Sequence, residues 1–404
     1  MPRYAWRALI SAQLGWALDA MDFLLFTFAL RTIQAEFGLH DSVMGLLTSV
    51  ALISGAAGGI VFGRLADRFG RVRAMTWSIL VYSGATALLA TSSTLFELVL
   101  WRVVLGLGMG GEWSSGSVLV SETWPAETRA RAMGLMQSGW AIGALVAAGL
   151  SALILEPYGW RVLFLIGAFP AVVAFVIRRT VPEPEIWRRA DAADRGHRAG
   201  GFAAIFRPPL LRRTLLASAV SSAVLVAYWG LFSWLPSFLA TPVEKGGAGL
   251  TLTKSAKWMV LVQLGAFAGY ITFGWIADRL GRRPAFTLFM VAATVVVPLY
   301  AMAPSENVLM FVGPLVGFFG SGYFSLFGAL LSELYPTAIR GTAQGFCYNA
   351  GRLISAAAPF AIGLAAARSG LGVAIAINAS FFAVAGVLIW FLPETRGTDL
   401  EATA

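Results

Sequence analysis

The sequence predicts an all-α membrane protein whose twelve transmembrane helices form two six-helix bundles. The first observation is composition. Of 404 residues, 58% are hydrophobic and only 13% are charged, whereas soluble domains carry about a quarter charged residues. The second is a mean hydropathy of +0.73. The third is an internal repeat, because the segment GRLADRFGRVR at residues 63–73 returns as GWIADRLGRRP at residues 274–284.

Twelve apolar stretches give the predicted helices. About 20 apolar residues span the hydrocarbon core of a bilayer as a helix. Within lipid the backbone has to satisfy its own hydrogen bonds, so we expect each stretch to be helical. In chain order the predicted helices cover residues 8–31, 42–65, 74–94, 97–121, 131–154, 160–177, 214–240, 255–277, 285–303, 306–332, 341–367 and 370–392.

The basic residues predict the orientation. With both termini in the cytoplasm, 22 of the 30 lysines and arginines fall on the cytoplasmic side, as the positive-inside rule requires. The net charge of +9 then reflects membrane topology, and we expect no nucleic-acid partner. Compact loops favour a multi-pass protein of the cell inner (plasma) membrane.

The longest polar segment, residues 178–213, is rich in arginine and also contains proline and glycine. We interpret it as a solvated connector. The predicted division of the chain is an N-terminal six-helix bundle at residues 1–180, a cytoplasmic linker at 181–212 and a C-terminal six-helix bundle at 213–404.

Several motifs recur at one offset of 211 positions. SETWPAETR at residues 121–129 returns as SELYPTAIR at 332–340, and VPE at 181–183 returns as LPE at 392–394. A constant offset over several motifs indicates a duplication. Two halves with the same orientation are parallel repeats, and transporters built in this way bind their ligand near the midplane between the halves.

These motifs resemble the major facilitator superfamily over essentially the whole chain. GRLADRFGRVR and GWIADRLGRRP are similar to its signature loop between helices 2 and 3 and the counterpart between helices 8 and 9. SETWPAETR and SELYPTAIR resemble charge-relay motifs of the sugar-porter type, and VPEPEIW and LPETRG resemble motifs that follow helices 6 and 12. The resemblance implies the major facilitator fold and transport by alternating access.

A finer resemblance involves three segments inside the predicted helices. LDAMDF, GLGMGGEW and YNAGR are similar to the sialate–proton symporter family, whose relatives also carry lactate-type monocarboxylates. The first helix also resembles the aromatic-acid symporters, although the glycine of their DGxD motif is absent here. This resemblance implies an organic anion that moves together with protons.

The repeated charged residues predict a gate on the cytoplasmic side. An aspartate at the end of helix 2 or 8 can meet the positive N-terminal end of a helix in the facing half, or a nearby arginine. Such contacts would form when this side closes and break when it opens. Plain topological charge is the alternative, but it requires arginine and not aspartate. The predicted gating residues are Asp67, Arg71, Glu122, Arg129, Asp278, Arg282, Glu333 and Arg340.

Five charged residues lie inside the predicted helices. A charge near the bilayer centre is costly, so each one is a candidate for function. They are Asp19 and Asp22 in the first helix, Arg102 and Glu112 in the fourth, and Arg352 in the eleventh.

Asp22 and Arg102 resemble the proton-coupling pair of symporters. At a rise of 1.5 Å per residue both lie at nearly the same depth, and a changing distance between them would load and release a proton. A permanent ion pair between the two helices is the alternative, although buried pairs stabilise weakly. Asp19 shares a helix face with Asp22. Glu112 could carry a second proton or bind substrate, or it could pack as a neutral acid.

Arg352 is predicted to bind the substrate. Its guanidinium cannot become neutral in practice, and its fork matches a carboxylate. Pairing with Asp19 or another internal acid is the alternative. Asn349, Gln137 and Tyr228 are the other predicted binding residues.

We therefore expect a proton-coupled symporter that imports a small organic anion, either a monocarboxylate or an acidic sugar such as sialate. The alternatives are a proton-driven exporter of small molecules, a neutral-sugar symporter, and a membrane sensor that binds its ligand without carrying it. An exporter or a sugar symporter needs no free arginine, and a sensor needs a larger signalling segment than this linker.

The sequence contains no enzyme motif. His40 and His197 fall in predicted loops on opposite faces, so we expect no metal site and no cofactor. The expected partners are the anionic substrate, protons and the lipid membrane, and we expect a monomer.

Overall fold

The computed structural model describes residues 3–193, 201–303 and 305–400, and within these ranges helices are joined by short connections. The predicted all-α architecture is therefore confirmed. Part of the predicted linker, residues 194–200 with His197, lies outside the described residues.

Six helices precede the linker and make up what we call the N-terminal half. They are α1 (Arg3–Phe37), α2 (Asp41–Phe69), α3 (Arg71–Leu89), α4 (Leu95–Thr123), α5 (Arg129–Gly167) and α6 (Pro170–Thr180). The start of α4 illustrates how sequence sets a boundary. The Thr94 hydroxyl accepts a hydrogen bond from the N–H of Glu97, and the Glu97 carboxylate accepts one from the N–H of Thr94. This capping box satisfies donors that the first helical turn leaves free.

The described part of the linker contains one short helix and one turn. Helix α7 (Glu185–Ala193) is followed by a 3-10 turn at Phe202–Phe206. The indole N–H of Trp187 donates to the carbonyl of Asp67 at 2.9 Å, which holds α7 against the end of α2.

Ten further helices make up the C-terminal half. They are α8 (Leu210–Phe232), α9 (Leu235–Ala240), α10 (Leu252–Leu280), α11 (Arg282–Ala301), α12 (Glu306–Ser321), α13 (Ser325–Leu334), α14 (Arg340–Ser355), α15 (Ala358–Ser369), α16 (Leu371–Asn378) and α17 (Ser380–Leu388). Short 3-10 segments follow several of them, at Val243–Lys245, Gly322–Phe324, Thr337–Ile339 and Ile389–Phe391. Four crossings in this half consist of two consecutive helices each, namely α8–α9, α12–α13, α14–α15 and α16–α17, whereas α10 and α11 each form one.

The helices amount to twelve membrane crossings. Nine stretches of the described chain are long and apolar enough to span a bilayer. One of them, residues 126–174, contains two crossings, because Gly159 has a non-helical φ of 79° within α5. Helices α3 and α4 supply the other two crossings. Their apolar character is diluted by Arg71 and Arg73 in α3 and by internal charges in α4.

Two glycines create the tight turns that begin the charged motifs. Gly70 has a φ of 109° between α2 and α3, and Gly281 has a φ of 105° between α10 and α11. Glycine reaches these angles without steric penalty. Each turn brings the aspartate at the end of one helix beside the arginine that begins the next, as with Asp67 and Arg71. We call this end of the bundle, which also carries Asp278, the charged end.

The two halves meet along two helix pairs, α2 with α14 and α5 with α10. Glycines allow the first pair to touch backbone to backbone. A Cβ atom added to Gly345 would overlap the carbonyl oxygen of Gly59, and one added to Gly341 would lie 2.6 Å from the carbonyl oxygen of Gly63. Small residues at such interfaces let membrane helices approach closely.

The substitution Gly345→Val is expected to force α2 and α14 apart. Overpacking of this kind destabilises by about 1–3 kcal/mol, so the variant should unfold at a lower temperature in detergent. Gly149→Val is the matched control, because a Cβ at this glycine of α5 has no neighbour within 4 Å. Equal unfolding temperatures for the two variants would contradict the close contact.

Candidate functional site

At the charged end, one buried cluster is centred on Glu122. Arg71 donates two hydrogen bonds to its carboxylate, from Nη2 at 2.9 Å and from Nε at 3.0 Å, and a third to Asp67 at 3.0 Å. From the C-terminal half, Nη1 of Arg340 donates to the same Glu122 carboxylate at 2.6 Å. The two arginines and Glu122 are shielded from solvent.

The duplicated motif builds a second cluster centred on Glu333. Arg282 donates to its carboxylate at 2.8 and 3.2 Å and to Asp278 at 3.0 Å. From the N-terminal half, Nη1 of Arg129 donates to Glu333 at 2.9 Å. The eight predicted gating residues therefore lie together in two equivalent clusters, which we call the paired latch.

The ion pairs of the paired latch are exchanged between the halves. The repeated motif groups Glu122 with Arg129 and Glu333 with Arg340 by sequence spacing, but each glutamate binds the arginine of the other half. The reason lies in helix position. Arg129 and Arg340 begin α5 and α14, which both lie at the interface between halves. Towards its own half, Arg129 donates instead to the carbonyl of Ser121 at 3.1 Å.

The two aspartates bind the beginnings of the facing helices, as the sequence predicts. Asp67 accepts hydrogen bonds from the backbone N–H groups of Gly341 and Thr342, at 2.8 and 2.7 Å, and from the Thr342 hydroxyl at 2.7 Å. Asp278 accepts from two backbone N–H groups at the start of α5, at 3.2 and 3.1 Å. A carboxylate at a helix N-terminus satisfies free donors and matches the helix dipole.

The segment after the last helix contributes to the Glu333 cluster. The Thr395 hydroxyl donates to the Glu333 carboxylate at 2.6 Å, and Arg129 donates to the Thr398 carbonyl at 3.0 Å. The neighbouring Glu394 accepts from the backbone N–H of Arg282 at 2.8 Å. In the N-terminal half, Glu183 occupies the position of Glu394 in the repeat and accepts hydrogen bonds from the N–H groups of Val72 and Arg73 at 3.0 Å.

Further from the charged end, a cavity lies between the halves at mid-depth. It is lined by side chains of α1 and α5 from one half, and of α8, α10, α14 and the 3-10 segment at Gly322–Phe324 from the other. The lining residues are Trp16, Gln137, Trp140, Leu225, Tyr228, Trp229, Tyr270, Phe324, Tyr348 and Arg352. Its free volume is about 20 Å³, which has room for little more than a water molecule. The aromatic side chains therefore have to separate before an organic molecule can enter.

Aromatic contacts between the halves bound this cavity. Towards the charged end, Trp113 stacks on Tyr348 with ring centroids 3.9 Å apart, and the Trp113 indole N–H donates to the Gln137 side chain at 3.1 Å. On the side of the cavity away from the charged end, the ring centroids of Phe23 and Trp229 are 6.1 Å apart. Each pair joins one half to the other, so the cavity is narrowed on both sides.

Arg352 is the cation of the cavity. Its half-buried guanidinium forms no ion pair and donates no side-chain hydrogen bond to any residue in the described ranges. Asp19 and Tyr348 are within its electrostatic range. The alternative of a direct pair with Asp19 is therefore not realised in this conformation, and the guanidinium is open to an anion.

Asp22 and Arg102 lie close together but are not bonded to each other. Asp22 is fully buried and accepts a hydrogen bond from the Thr86 hydroxyl at 2.5 Å. The Arg102 guanidinium lies 3.8 Å from the centroid of the Phe26 ring, and its Nε donates to the carbonyl of Leu47 at 3.3 Å. Within the part of the chain that is described, no ion pair of 4.0 Å or less joins Asp22 to Arg102.

Asp19 and Glu112 are buried without partners. Neither carboxyl group has a hydrogen bond to a described residue, and each side chain is almost completely inaccessible to solvent. Glu112 packs directly against the backbone of Gly15, where a Cβ would overlap its carboxyl oxygen. Two unpartnered acids in a membrane interior are well suited to exchange protons, because the neutral form is the less costly one there.

The predicted binding residues divide into three that line the cavity and one that does not. Arg352, Gln137 and Tyr228 line it. Asn349 instead packs against Gly59 of α2, and its amide donates to a backbone carbonyl one turn earlier at 2.8 Å. A helix turns about 100° per residue. Asn349 therefore points at α2, while the preceding residue, Tyr348, faces the cavity.

Sequence reasoning missed several aromatic lining residues. Helix spacing contains a signal for two of them: Tyr348 precedes Arg352 by four residues, and Trp16 precedes Asp19 by three, which puts each pair on one helix face. For Tyr270 no such charged neighbour exists, and only the folded arrangement of the halves brings it to the cavity.

Comparison with known proteins agrees with this architecture. The sequence profile of the Major Facilitator Superfamily matches residues 13–255 and 246–403. The probable 4-methylmuconolactone transporter of Cupriavidus pinatubonensis is 34% identical, over 96% of this chain and 90% of its own length. The sialic acid transporter NanX of Escherichia coli is 31% identical, over 95% and 93%.

A solved structure has the same fold. The proton:xylose symporter XylE superposes with a TM-score of 0.82 at 20% identity, covering 98% of both chains. The matched profile covers both halves, and the fold and the transporter relatives agree with it, so the chain is a transporter and not an enzyme. This protein belongs to the Major Facilitator Superfamily.

Proposed function

We propose that this transporter is a proton-coupled symporter that imports a small organic anion, a monocarboxylate or an acidic sugar such as sialate. The observation that carries the proposal is the open guanidinium of Arg352 in the cavity between the halves. A permanent cation at membrane depth normally has a partner or marks a substrate pathway, and no described side chain bonds to this one.

The cavity wall supports an organic anion over an inorganic one. Arg352 offers a fork of N–H donors that fits a carboxylate, and Gln137 adds a neutral amide nearby. Most of the remaining lining is aromatic, for example Trp140 and Tyr228, which favours a substrate with an apolar or ring-shaped body. Relatives named for 4-methylmuconolactone and sialic acid are consistent with this class.

Proton coupling is proposed for the buried acids beside the cavity. Asp19 is the acid within electrostatic range of Arg352. A substrate carboxylate that binds Arg352 neutralises its positive charge. The Asp19 carboxylate then loses the stabilising influence of that charge, so Asp19 favours its protonated form. Substrate and proton would thus bind together. Asp22, Arg102 and Glu112 complete the proposed proton-coupling set.

The paired latch is proposed as the cytoplasmic gate. We propose from the excess of basic residues that the charged end faces the cytoplasm, so that the conformation described is the one closed on that side. In the proposed cycle, substrate and proton enter from outside, the halves rock, and the paired latch opens to release both. We propose the six-helix bundles at residues 1–180 and 213–404 as the rocking units, joined by the linker at 181–212, in a monomer of the inner membrane.

The first test is proton flux into proteoliposomes that contain an internal pH dye. Lactate, pyruvate, sialate, benzoate and a neutral sugar are added in turn, with empty vesicles to subtract passive entry of weak acids. We expect one acid to drive internal acidification. Arg352→Gln should abolish flux because the carboxylate loses its cation, and Asp22→Asn should abolish it because a proton site is lost.

Two results would overturn the symporter. One is that no acid moves protons, while an imposed proton gradient drives the export of lipophilic cations from the vesicles. The protein is then an exporter. If the neutral sugar drives flux and Arg352→Gln retains it, the substrate is not an anion.

The gating role of the paired latch is tested with Glu122→Gln. This change removes a buried carboxylate from Arg71 and Arg340, a loss worth about 3–5 kcal/mol. We expect the cytoplasmic side to open more often. Ser117 is a buried residue of α4 that accepts a hydrogen bond from Gln344 of α14 at 2.6 Å. A cysteine at this position, in a Cys347→Ser background, should then react at least tenfold faster with a polar maleimide.

The matched control for the latch is Glu306→Gln. Glu306 pairs with Lys254 at 2.9 Å on the surface, and both side chains are about half exposed. Surface pairs contribute little, so the control should leave the labelling rate unchanged. Equal rates for the latch variant and the control would remove the gating role.

A further inference from the structure

Tyr82 on α3 has a buried hydroxyl group that the proposed mechanism does not use. The side chain is completely inaccessible to solvent, and its hydroxyl has no hydrogen-bond partner among the residues that the structure describes. Buried polar groups are normally paired. An unpaired hydroxyl in a membrane interior therefore calls for a role in which its partner changes.

The hydroxyl faces the buried acids. The carboxyl groups of Asp19, Glu112 and Asp22 all lie within its electrostatic range. Helix geometry explains this. Helices α1 and α3 both run away from the charged end, and Thr86 of α3 is bonded to Asp22 of α1. Tyr82 lies one turn below Thr86, and Asp19 lies one turn below Asp22, so the two are at the same level.

Glu112 extends the row of acids towards the charged end. It packs against Gly15, which lies one turn of α1 below Asp19. The three carboxyl groups therefore span about 10 Å along α1, since the helix rises 1.5 Å per residue. Tyr82 stands beside the middle of this row, and all three acids influence its hydroxyl electrostatically.

The charged groups around Tyr82 define which proton steps are possible. The acids Asp19, Asp22 and Glu112 act on Tyr82 itself. The cations act on these acids, Arg102 on Asp22 and Arg352 on Asp19. Asp22 is bonded on its outer side to a hydroxyl of α3, whereas Asp19 is the acid near the substrate cation. A proton accepted at Asp22 thus has to travel one helical turn before it can influence Arg352.

We infer that the Tyr82 hydroxyl relays protons between Asp22 and the Asp19–Glu112 pair. It donates its own proton to the carboxylate of Asp19 and accepts one from protonated Asp22, in each case through a bridging water. The hydroxyl is regenerated, and one proton has moved without any change in oxidation state. This inference rests on the proposed symport. It gives Tyr82 a role in moving the proton and no role in binding the substrate.

The test compares Tyr82→Phe with Tyr300→Phe. The Tyr300 hydroxyl is also buried without a partner in the described chain, but no acid acts on it. Two activities are measured in proteoliposomes with whichever of lactate, pyruvate, sialate or benzoate drives proton flux in the unaltered protein. They are accumulation driven by a proton gradient, and exchange of labelled for unlabelled acid across the membrane, which needs no net proton transfer.

We expect Tyr82→Phe to lose accumulation at least tenfold while exchange stays within about twofold, and Tyr300→Phe to retain both. Unchanged accumulation in Tyr82→Phe would overturn the relay. Loss of exchange together with accumulation would also overturn it, because Tyr82 would then act in binding. Removing an unpaired oxygen should not lower the unfolding temperature, and a marked drop would show that the hydroxyl is structurally bonded.

These outcomes separate the relay from the function on which it rests. If the unaltered protein shows neither proton flux nor exchange with any of the acids, the proposed symport itself fails. If the unaltered protein shows both, the comparison of the two tyrosine variants decides the relay alone.

Discussion

The closed conformation depends on neutralising arginines that have no access to water. At the charged end, Arg71, Arg129, Arg282 and Arg340 are buried almost completely. A buried guanidinium keeps its charge, so a carboxylate has to be supplied within hydrogen-bonding distance. The chain supplies the carboxylates across the duplication, with each central glutamate bonded to one arginine from either half. Closure on this side is therefore a joint property of both halves, and a partly closed arrangement would leave charges buried without partners.

The same constraint has the opposite outcome at mid-depth. There the charges are not matched: Arg352 has no bonded anion, and Asp19 and Glu112 have no bonded donor in the described chain. Aromatic rings surround this region on both sides, and little free volume remains. A fully paired cluster stabilises one conformation, whereas an unmatched one is stabilised only when a further charge arrives. The paired charges at the charged end thus stabilise one conformation, whereas the unmatched charges at mid-depth leave a place for a further charged group.

Much of this arrangement could be predicted from the sequence because it depends on local pattern. Apolar stretches of about 20 residues and the constant repeat offset predict twelve helices in two halves, and an aspartate at a helix end predicts a contact with a facing helix N-terminus. What could not be predicted depends on which helices face each other. The exchange of Arg129 and Arg340 between glutamates requires the interface of α5 with α10 and of α2 with α14. The rotation of Asn349 towards α2 also requires it, since sequence spacing alone does not say which face of α14 meets the cavity.

The segment after α17 connects the end of the described chain to the Glu333 cluster. Arg129 binds both Glu333 and the carbonyl of Thr398, which are separated in the chain by the whole of the last two crossings. A ribosome delivers these partners one after the other, long after α5 has been made. During biosynthesis Arg129 is therefore made long before its partners, and the contacts of the charged end can be completed only once residues as far as Thr398 have emerged. Formation of the closed charged end is thus a late assembly step, in which newly made chain returns to a residue made much earlier.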